Sequence, residues 1–231
     1  MAIAYRGSNV ATAGPPFVPT EDGASATGDF MVAFGNLNTV DGVWTLPADF
    51  TQIDQISATA GAPDSRVFLA YKVRGADAGS GYSFGYSGTD ASAFVALFSF
   101  SGTNLGLDVT YAQGTHYHEY TSATNNLNVA AAAITTNTDG AVVILCEALN
   151  SGAPITPGGP TGYTQRAASG GTSNGYVYSK AITSAGTETP GVFTHSTEDV
   201  TGDQRTFTIA IAELAAAATS KLAVLKRIRH F

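Results

Sequence analysis

The sequence predicts an all-β sandwich assembled from two related halves, and three observations point to it. Gly is abundant at 26 of 231 residues, and charged residues make up only 13%, about half the usual share for a soluble protein. Apolar and polar residues alternate with period two in several runs, as half-buried strands require. A set of landmarks also recurs in the same order in both halves of the chain. A hydrophobic content of 44% supplies a substantial core, and chains of this length often form one β-sandwich.

Near the N-terminus, Gly14-Pro15-Pro16-Phe17-Val18-Pro19 excludes helix, because proline removes backbone donors and restricts the residue before it. An extended arm or edge segment is expected there. Trp44, the single tryptophan, is expected to pack where the first half's loop returns to the sheet. In the run 67–74, Val67, Leu69, Tyr71 and Val73 share one face, while Lys72 and Arg74 point the other way. Phe94, Ala96, Phe98 and Phe100 share a face of the next long strand. Phe207, Ile209 and Ile211 alternate with Thr206, Thr208 and Ala210. Each such strand is expected to turn one face to the core and the other to solvent.

The stretches 75–81, 151–162 and 169–175 carry turn and loop chemistry. The middle segment, 102–138, lacks linker composition, offers strands at 107–111 and 129–135, and is expected to cross the fold. Residues 213–218 and 221–227 are the best helix candidate, because Ala, Leu and Lys favour helix and basic residues suit its C-terminal end.

The repeat is the most informative feature. Gly28-Asp29 precedes the apolar run 30–34, and Asp139-Gly140 precedes 141–146. Pro47-Ala48-Asp49-Phe50-Thr51-Gln52 and Pro160-Thr161-Gly162-Tyr163-Thr164-Gln165 share the form P-x-x-[FY]-T-Q. Tyr71-Lys72 parallels Ser179-Lys180, Phe84-Gly85-Tyr86-Ser87 parallels Phe193-Thr194-His195-Ser196, and the strand 94–100 parallels 207–212. The offset of roughly 110 residues is too long for a solenoid unit. Each half is too small and glycine-rich to fold well alone. One shared core is therefore expected over residues 1–214, with related halves at about 28–101 and 139–214, followed by a tail at 215–231.

The net charge is −7, unevenly placed: Lys221, Lys226, Arg227 and Arg229 leave residues 1–220 with 7 basic and 18 acidic groups, a net of −11. An acidic body argues against a nucleic-acid partner. No stretch has the apolar length of a membrane span, and the N-terminus lacks the apolar core of a signal peptide, so a chain made in a cytoplasm and soluble there is expected. Alongside the basic residues, Leu222, Val224, Leu225, Ile228 and Phe231 make the tail apolar as well. A merely solvated end does not need them. Residues Lys221, Leu222, Val224, Leu225, Lys226, Arg227, Ile228, Arg229 and Phe231 are therefore expected to dock on another subunit, with membrane-surface binding the competing use of the pattern.

The search for chemistry finds little. His116, His118 and Glu119 could begin a metal site, but no further ligand follows at a familiar spacing. Cys146 lies in an apolar run and reads as an inert core thiol. There is no G-x-S-x-G elbow. Asp41, Asp49, Glu188, Asp199 and Asp203 sit mostly in turn-like contexts rather than as paired catalytic carboxylates. No catalytic residue, metal or cofactor is expected. Tyr5, Tyr82, Tyr86, Tyr111, Tyr117, Tyr120, Tyr163, Tyr176 and Tyr178 include several that could line loops and meet a host glycan or protein, although aromatics on strands are more often core.

Gly28-Asp29-Phe30-Met31-Val32-Ala33-Phe34, Trp44-Thr45-Leu46-Pro47-Ala48-Asp49-Phe50-Thr51, Leu69-Ala70-Tyr71-Lys72-Val73 and Tyr82-Ser83-Phe84 together resemble a recurrent bacteriophage virion domain. Its members read G-D-[LF]-[LM]-V-A, P-x-G-[WF]-T, a Y-[RK]-V strand and a Y-x-[FW] strand, then P-P-x-G-[YF]-T, matched here by Pro160 to Thr164. The resemblance covers about residues 1–214, with Asp49 standing where Gly is usual and the tail outside the pattern. It implies a jelly-roll-like or lectin-like antiparallel sandwich in a tail, fibre or head-decoration protein. The expected setting is the virion, assembled in the host bacterial cytoplasm, with major capsid or tail subunits as partners and a homo-oligomer as the state. A carbohydrate-binding or adhesin module is the alternative, since fold alone does not name a function.

Overall fold

The computed structural model describes residues 2–12, 14–38, 42–56, 65–76, 81–88, 93–102, 105–108, 112–113, 117–118, 129–150, 157–169, 173–195 and 203–213. Among these residues the chain is all-β, paired antiparallel and without helix. The strands are β1 (Ala4–Ala11), β2 (Phe30–Asn38), β3 (Trp44–Thr45), β4 (Thr51–Ile56), β5 (Ser65–Val73), β6 (Gly85–Tyr86) and β7 (Ala93–Ser101). Then follow β8 (Leu105–Leu107), β9 (Ala112–Gln113), β10 (Tyr117–His118), β11 (Ile134–Thr136) and β12 (Val142–Asn150). The last are β13 (Pro157–Gly158), β14 (Thr164–Ser169), β15 (Ser173–Ala181), β16 (Gly186–Glu188), β17 (Thr194–His195) and β18 (Asp203–Glu213).

Two large sheets face each other. The first has the order β1-β7-β2-β5-β4, and the second β10-β18-β12-β15-β14, with β8 and β9 also pairing β18. The middle segment leaves β7 in the first sheet and enters the second at β8, so it does cross the fold. The inner faces form one core, in which Phe34, Phe94, Phe98 and Phe100 meet Ile144, Cys146, Phe207 and Ile209. Gly175 lies under the Phe94 ring, where a Cβ would stand 1.6 Å from a ring carbon. Cys146 is fully buried in this core, as its apolar setting implied, and burial pushes its thiol far above the ordinary range.

The expectation of one core face and one solvent face per strand is overturned. Each sheet buries its outer face too. On the first, Met31, Ala33, Phe68, Ala70, Val95 and Leu97 pack under Phe17, Trp44, Phe50, Tyr82 and Phe84. On the second, Val143, Leu145, Leu149 and Ala210 pack with Ala131, Ile134, Ile182 and Phe193. Thr206, Thr208, Lys72 and Arg74 are therefore buried rather than solvated. The cause is topological. The chain skips a strand position between β2 and β4, and again between β12 and β14, so each connection must travel over the outer face. One strand of each short pair, β3 and β13, lies on these connections, and its partner, β6 or β17, lies on the later connection from β5 to β7 or from β15 to β18. Unbroken apolar runs such as 93–98 fit burial on both faces.

Smaller differences follow. Val73 ends β5 opposite Phe30 and is exposed, not core. The loop expected over 169–175 is shorter, because Ser169 closes β14 while Ser173 opens β15. Residues 14–19 are non-helical, as expected, and Phe17 among them makes an isolated bridge to Phe84, while β1 before them is an edge strand on β7. Trp44 packs as expected, between Phe17, Phe68 and Tyr86, with its indole N–H donating to the Arg66 carbonyl at 3.0 Å.

The two sheets share registers. Met31 stands opposite Lys72, and Val143 opposite Lys180. Thr51 and Gln52 pair with Tyr71 and Ala70, while Thr164 and Gln165 pair with Ser179 and Tyr178. A bulge follows directly in both strands, at Gln52/Asp54 and Gln165/Ala167. The tight entry into β2 places Gly28 at φ 91°, and that into β12 places Gly140 at φ 76°, a region that favours glycine.

Candidate functional site

A group of five titratable side chains, Glu21, Asp49, Lys72, Arg74 and Tyr82, lies on the outer face of the first sheet. Alternation along β5 sends Phe68, Ala70 and Lys72 outward, beneath the segment 17–29 and the turn 47–50. That turn is closed by the Phe50 N–H donating to the Pro47 carbonyl at 3.0 Å. It carries Asp49 to Lys72. The Lys72 ammonium donates to Asp49 Oδ2, and to the Tyr82 hydroxyl at 3.2 Å. It also lies 4.3 Å from the Tyr82 ring centroid and 5.6 Å from that of Phe50, close enough for cation–π attraction. The Lys72 side chain is 4% exposed and that of Asp49 48%.

A second carboxylate completes the group. Glu21 accepts from the Tyr82 hydroxyl through one oxygen and from Arg74 Nε through the other. Both members of the Arg74–Glu21 pair are buried. Burial pushes the Tyr82 phenol up to about 12, reinforced by its hydrogen bond to Glu21 and opposed by Lys72. For Lys72, burial acts downward, but the hydrogen bonds to Asp49 and Tyr82 outweigh it and hold the ammonium above its ordinary range. Arg74 directly follows β5. Its N–H donates to the Asp29 carbonyl at 2.8 Å, and its carbonyl accepts from Gly28 at 2.9 Å. The cluster thus ties segment 17–29, the 47–50 turn and β5 together.

The second sheet carries a simpler counterpart. Lys180 donates to Glu188 at 2.7 Å, the Tyr163 hydroxyl donates to the same carboxylate oxygen at 3.1 Å, and Lys180 lies 5.5 Å from the Tyr163 ring centroid. Deeper on that face, Gln204 donates to the fully buried Glu147 at 2.7 Å. Glu188, expected in a turn, is instead in β16 and opposite Ile134.

Sequence reasoning placed Lys72 and Arg74 in solvent and did not assemble this cluster. The available signal was Asp49 at a position where the resembled domain carries Gly. Of the other expected residues, Tyr176 and Tyr178 are buried, and Tyr5, Tyr86 and Tyr163 are partly buried against neighbouring apolar groups. His195 lies in β17, paired with Pro157, and His118 in β10 pairs through its backbone with Asp203 in β18. His116, Glu119, Asp41, Asp199 and the docking residues 221–231 lie outside the described residues, as does the C-terminal helix candidate beyond residue 213. Among the described residues no three His, Cys, Asp or Glu side chains converge as metal ligands would. No described helix is long and apolar enough to cross a membrane.

No protein-family model, curated protein or solved structure matches the chain.

Proposed function

We propose that the chain is a non-enzymatic structural protein of a bacteriophage virion, standing on the head or tail and docked there through residues 221–231. One observation carries the reading. The residues that bear the resemblance, among them Met31, Trp44, Phe50, Tyr82 and Phe84, form a single packed layer rather than scattered strings. A shared layer of this kind supports a shared architecture. The acidic body with its basic and apolar terminus supplies the docking end. The glycan-binding alternative loses part of its motivation, because Tyr82, Tyr176 and Tyr178 are buried and offer no open stacking surface.

The finer architecture belongs to the same proposal. We infer that the body, 1–214, is one jelly-roll-like sandwich made by duplication, with 215–231 extending from it as a helix or tail. The matching registers, the bulges after Gln52 and Gln165, and the paired glycines Gly28 and Gly140 support related halves. Deleting 221–231 tests the docking end. The truncated protein is expected to unfold at the same temperature as the full chain yet to be absent from purified particles. Incorporation at full occupancy would sink the anchor reading. One cooperative unfolding transition is expected for the body; two separate transitions would divide it into independent halves.

A further inference from the structure

We propose that Lys72 and Asp49 close an intramolecular isopeptide bond, with Tyr82 and Glu21 relaying the proton. The inference stands on the cluster's geometry and does not depend on the virion reading. The Lys72 side chain reaches Asp49 with its ammonium enclosed by the Phe50 and Tyr82 rings. The ammonium is the dominant form, and the attacking amine is reached by proton transfer to the Asp49 carboxylate that it touches. Holding the two groups in contact replaces a bimolecular encounter with an internal step. The charged groups shown around the amine among the described residues include Asp49, Glu21 and, beyond Glu21, Arg74. Arg74 fixes the second carboxylate, and the Tyr82 hydroxyl bridges it to Lys72.

The chemistry needs no oxidant or cofactor. Lys72 passes one proton to the Asp49 carboxylate, giving an amine and a carboxylic acid. The amine lone pair attacks Asp49 Cγ and forms the C–N bond. The surplus proton on nitrogen leaves through the Tyr82 hydroxyl towards Glu21 and returns by the same relay to the departing hydroxyl. The C–O bond breaks, one water leaves, and Glu21 ends as the carboxylate it began as. The products are one amide and one water. Asp49 is half open to solvent, which gives the water an exit. The bond would lock the connection between β2 and β4 onto β5, across the outer face that this connection covers.

The second sheet serves as an internal control. Lys180 also contacts a carboxylate, but its side chain is 34% exposed, and both Lys180 and Tyr163 converge on Glu188, with no second acid beyond the tyrosine among the described residues. It should not react.

Intact-mass measurement of the purified full chain tests the proposal. The expected mass is lower than that of the sequence by one water, and a protease digest should yield a branched peptide joining residues 49 and 72. Lys72→Met and Asp49→Ala should each restore the full mass, whereas Lys180→Met should keep the loss. Glu21→Gln, which preserves shape, should link more slowly by at least tenfold. A wild-type protein of full mass with separate 49 and 72 peptides overturns the bond. Loss of water mapped to another pair does the same. Equal linking rates in Glu21→Gln would overturn the relay.

Discussion

Directly after β5, Arg74 buries its guanidinium against Glu21, whereas the residue in the same place after β15 is Ile182, buried among apolar neighbours. The backbone around them is alike. The Arg74 N–H donates to Asp29 and its carbonyl accepts from Gly28; the Ile182 N–H donates to Ala141 and its carbonyl accepts from Gly140. One position is thus filled by an ion pair in the first sheet and by a hydrocarbon in the second. Next to it, Asp49 in the 47–50 turn reaches Lys72, while the matching turn residue is Gly162, at φ 84° with no side chain to offer, and Lys180 turns to Glu188. A third contrast lies in β2 and β12. Gly35 is covered by the Phe68 ring, which a Cβ would meet at 2.2 Å, whereas Glu147 takes the corresponding place and accepts from Gln204. The same backbone layer therefore accepts either polar or apolar fillings, provided each polar group finds a partner.

The largest expected effect comes from breaking the ion pair on one side only. Glu21→Ala leaves the Arg74 guanidinium buried without its carboxylate and is expected to cost about 3–5 kcal/mol. Replacing both residues, Glu21→Leu with Arg74→Ile, copies the second sheet's solution and is expected to recover most of the loss, to within about 1–2 kcal/mol of wild type. Urea denaturation of the three proteins measures this. A double variant as unstable as Glu21→Ala would show that the two sheets are not interchangeable at this position.

With the Lys72–Asp49 pair unlinked, Lys72→Met is expected to come next, at about 1.5–3 kcal/mol, because it removes hydrogen bonds between charged groups on a buried stem. Asp49 is half exposed and can turn to water, which keeps the loss below that of Glu21→Ala. Thermal unfolding at neutral pH checks the order of the two variants. The reverse order would mean that the turn at 47–50, rather than segment 17–29, holds the outer layer in place.

Much of the scaffold was legible in the sequence because it depends on local chemistry. The two P-x-x-[FY]-T-Q strings each give a tight turn into an edge strand, with Phe50 and Tyr163 donating back to Pro47 and Pro160. The inner faces of β5, β7 and β18 followed from alternation, since Leu69, Phe98 and Ile209 have a core on one side whatever happens on the other. The outer faces were not legible. Lys72 and Arg74 look like solvent residues until residues 17–29 are laid over them, and that placement depends on a bridge between Phe17 and Phe84, far apart in sequence. Thr206 and Thr208 were misread for the same reason: hydroxyls alternate with apolar residues as on a wet face, yet Thr206 donates to the Ala130 carbonyl. Polar residues satisfied by distant backbone leave no periodic trace.

A smaller effect should appear in alkali. Folding keeps the Tyr82 phenol protonated up to about 12, whereas the unfolded chain loses that proton near 10. Between these values the unfolded state releases the proton first, so stability from this group is full below pH 10 and is lost as pH rises towards 12. Where Lys72 is unlinked, its raised ammonium acts in the same direction above its ordinary 10.5. Tyr82→Phe is expected to cost about 1.5 kcal/mol at neutral pH through its two lost hydrogen bonds, to Glu21 and from Lys72, and to flatten the decline between pH 10 and 12. Tyr176 on the second sheet, also pushed up to about 12 by burial and the charge of Glu147, should keep its share of the slope in that variant. Identical slopes for wild type and Tyr82→Phe would place the alkaline sensitivity elsewhere.

The smallest expected effect is at Lys180, and it isolates what cover adds to an ion pair. Lys72 and Lys180 hold the same register against β2 and β12, and each contacts a carboxylate and an aromatic ring. They differ in access to water, with side chains 4% and 34% exposed. Water and salt screen the open pair, and the long side chain loses entropy in holding it, so Lys180→Met is expected to cost no more than about 1 kcal/mol. Raising salt should shrink the wild-type advantage at Lys180 while leaving that at Lys72 nearly unchanged, since buried pairs are screened less. Denaturation midpoints in low and high salt for both methionine variants decide the matter. Equal salt sensitivity at the two positions would mean that segment 17–29 does not shield Lys72 in solution, and the contrast between the sheets would then rest on Arg74 and Ile182 alone.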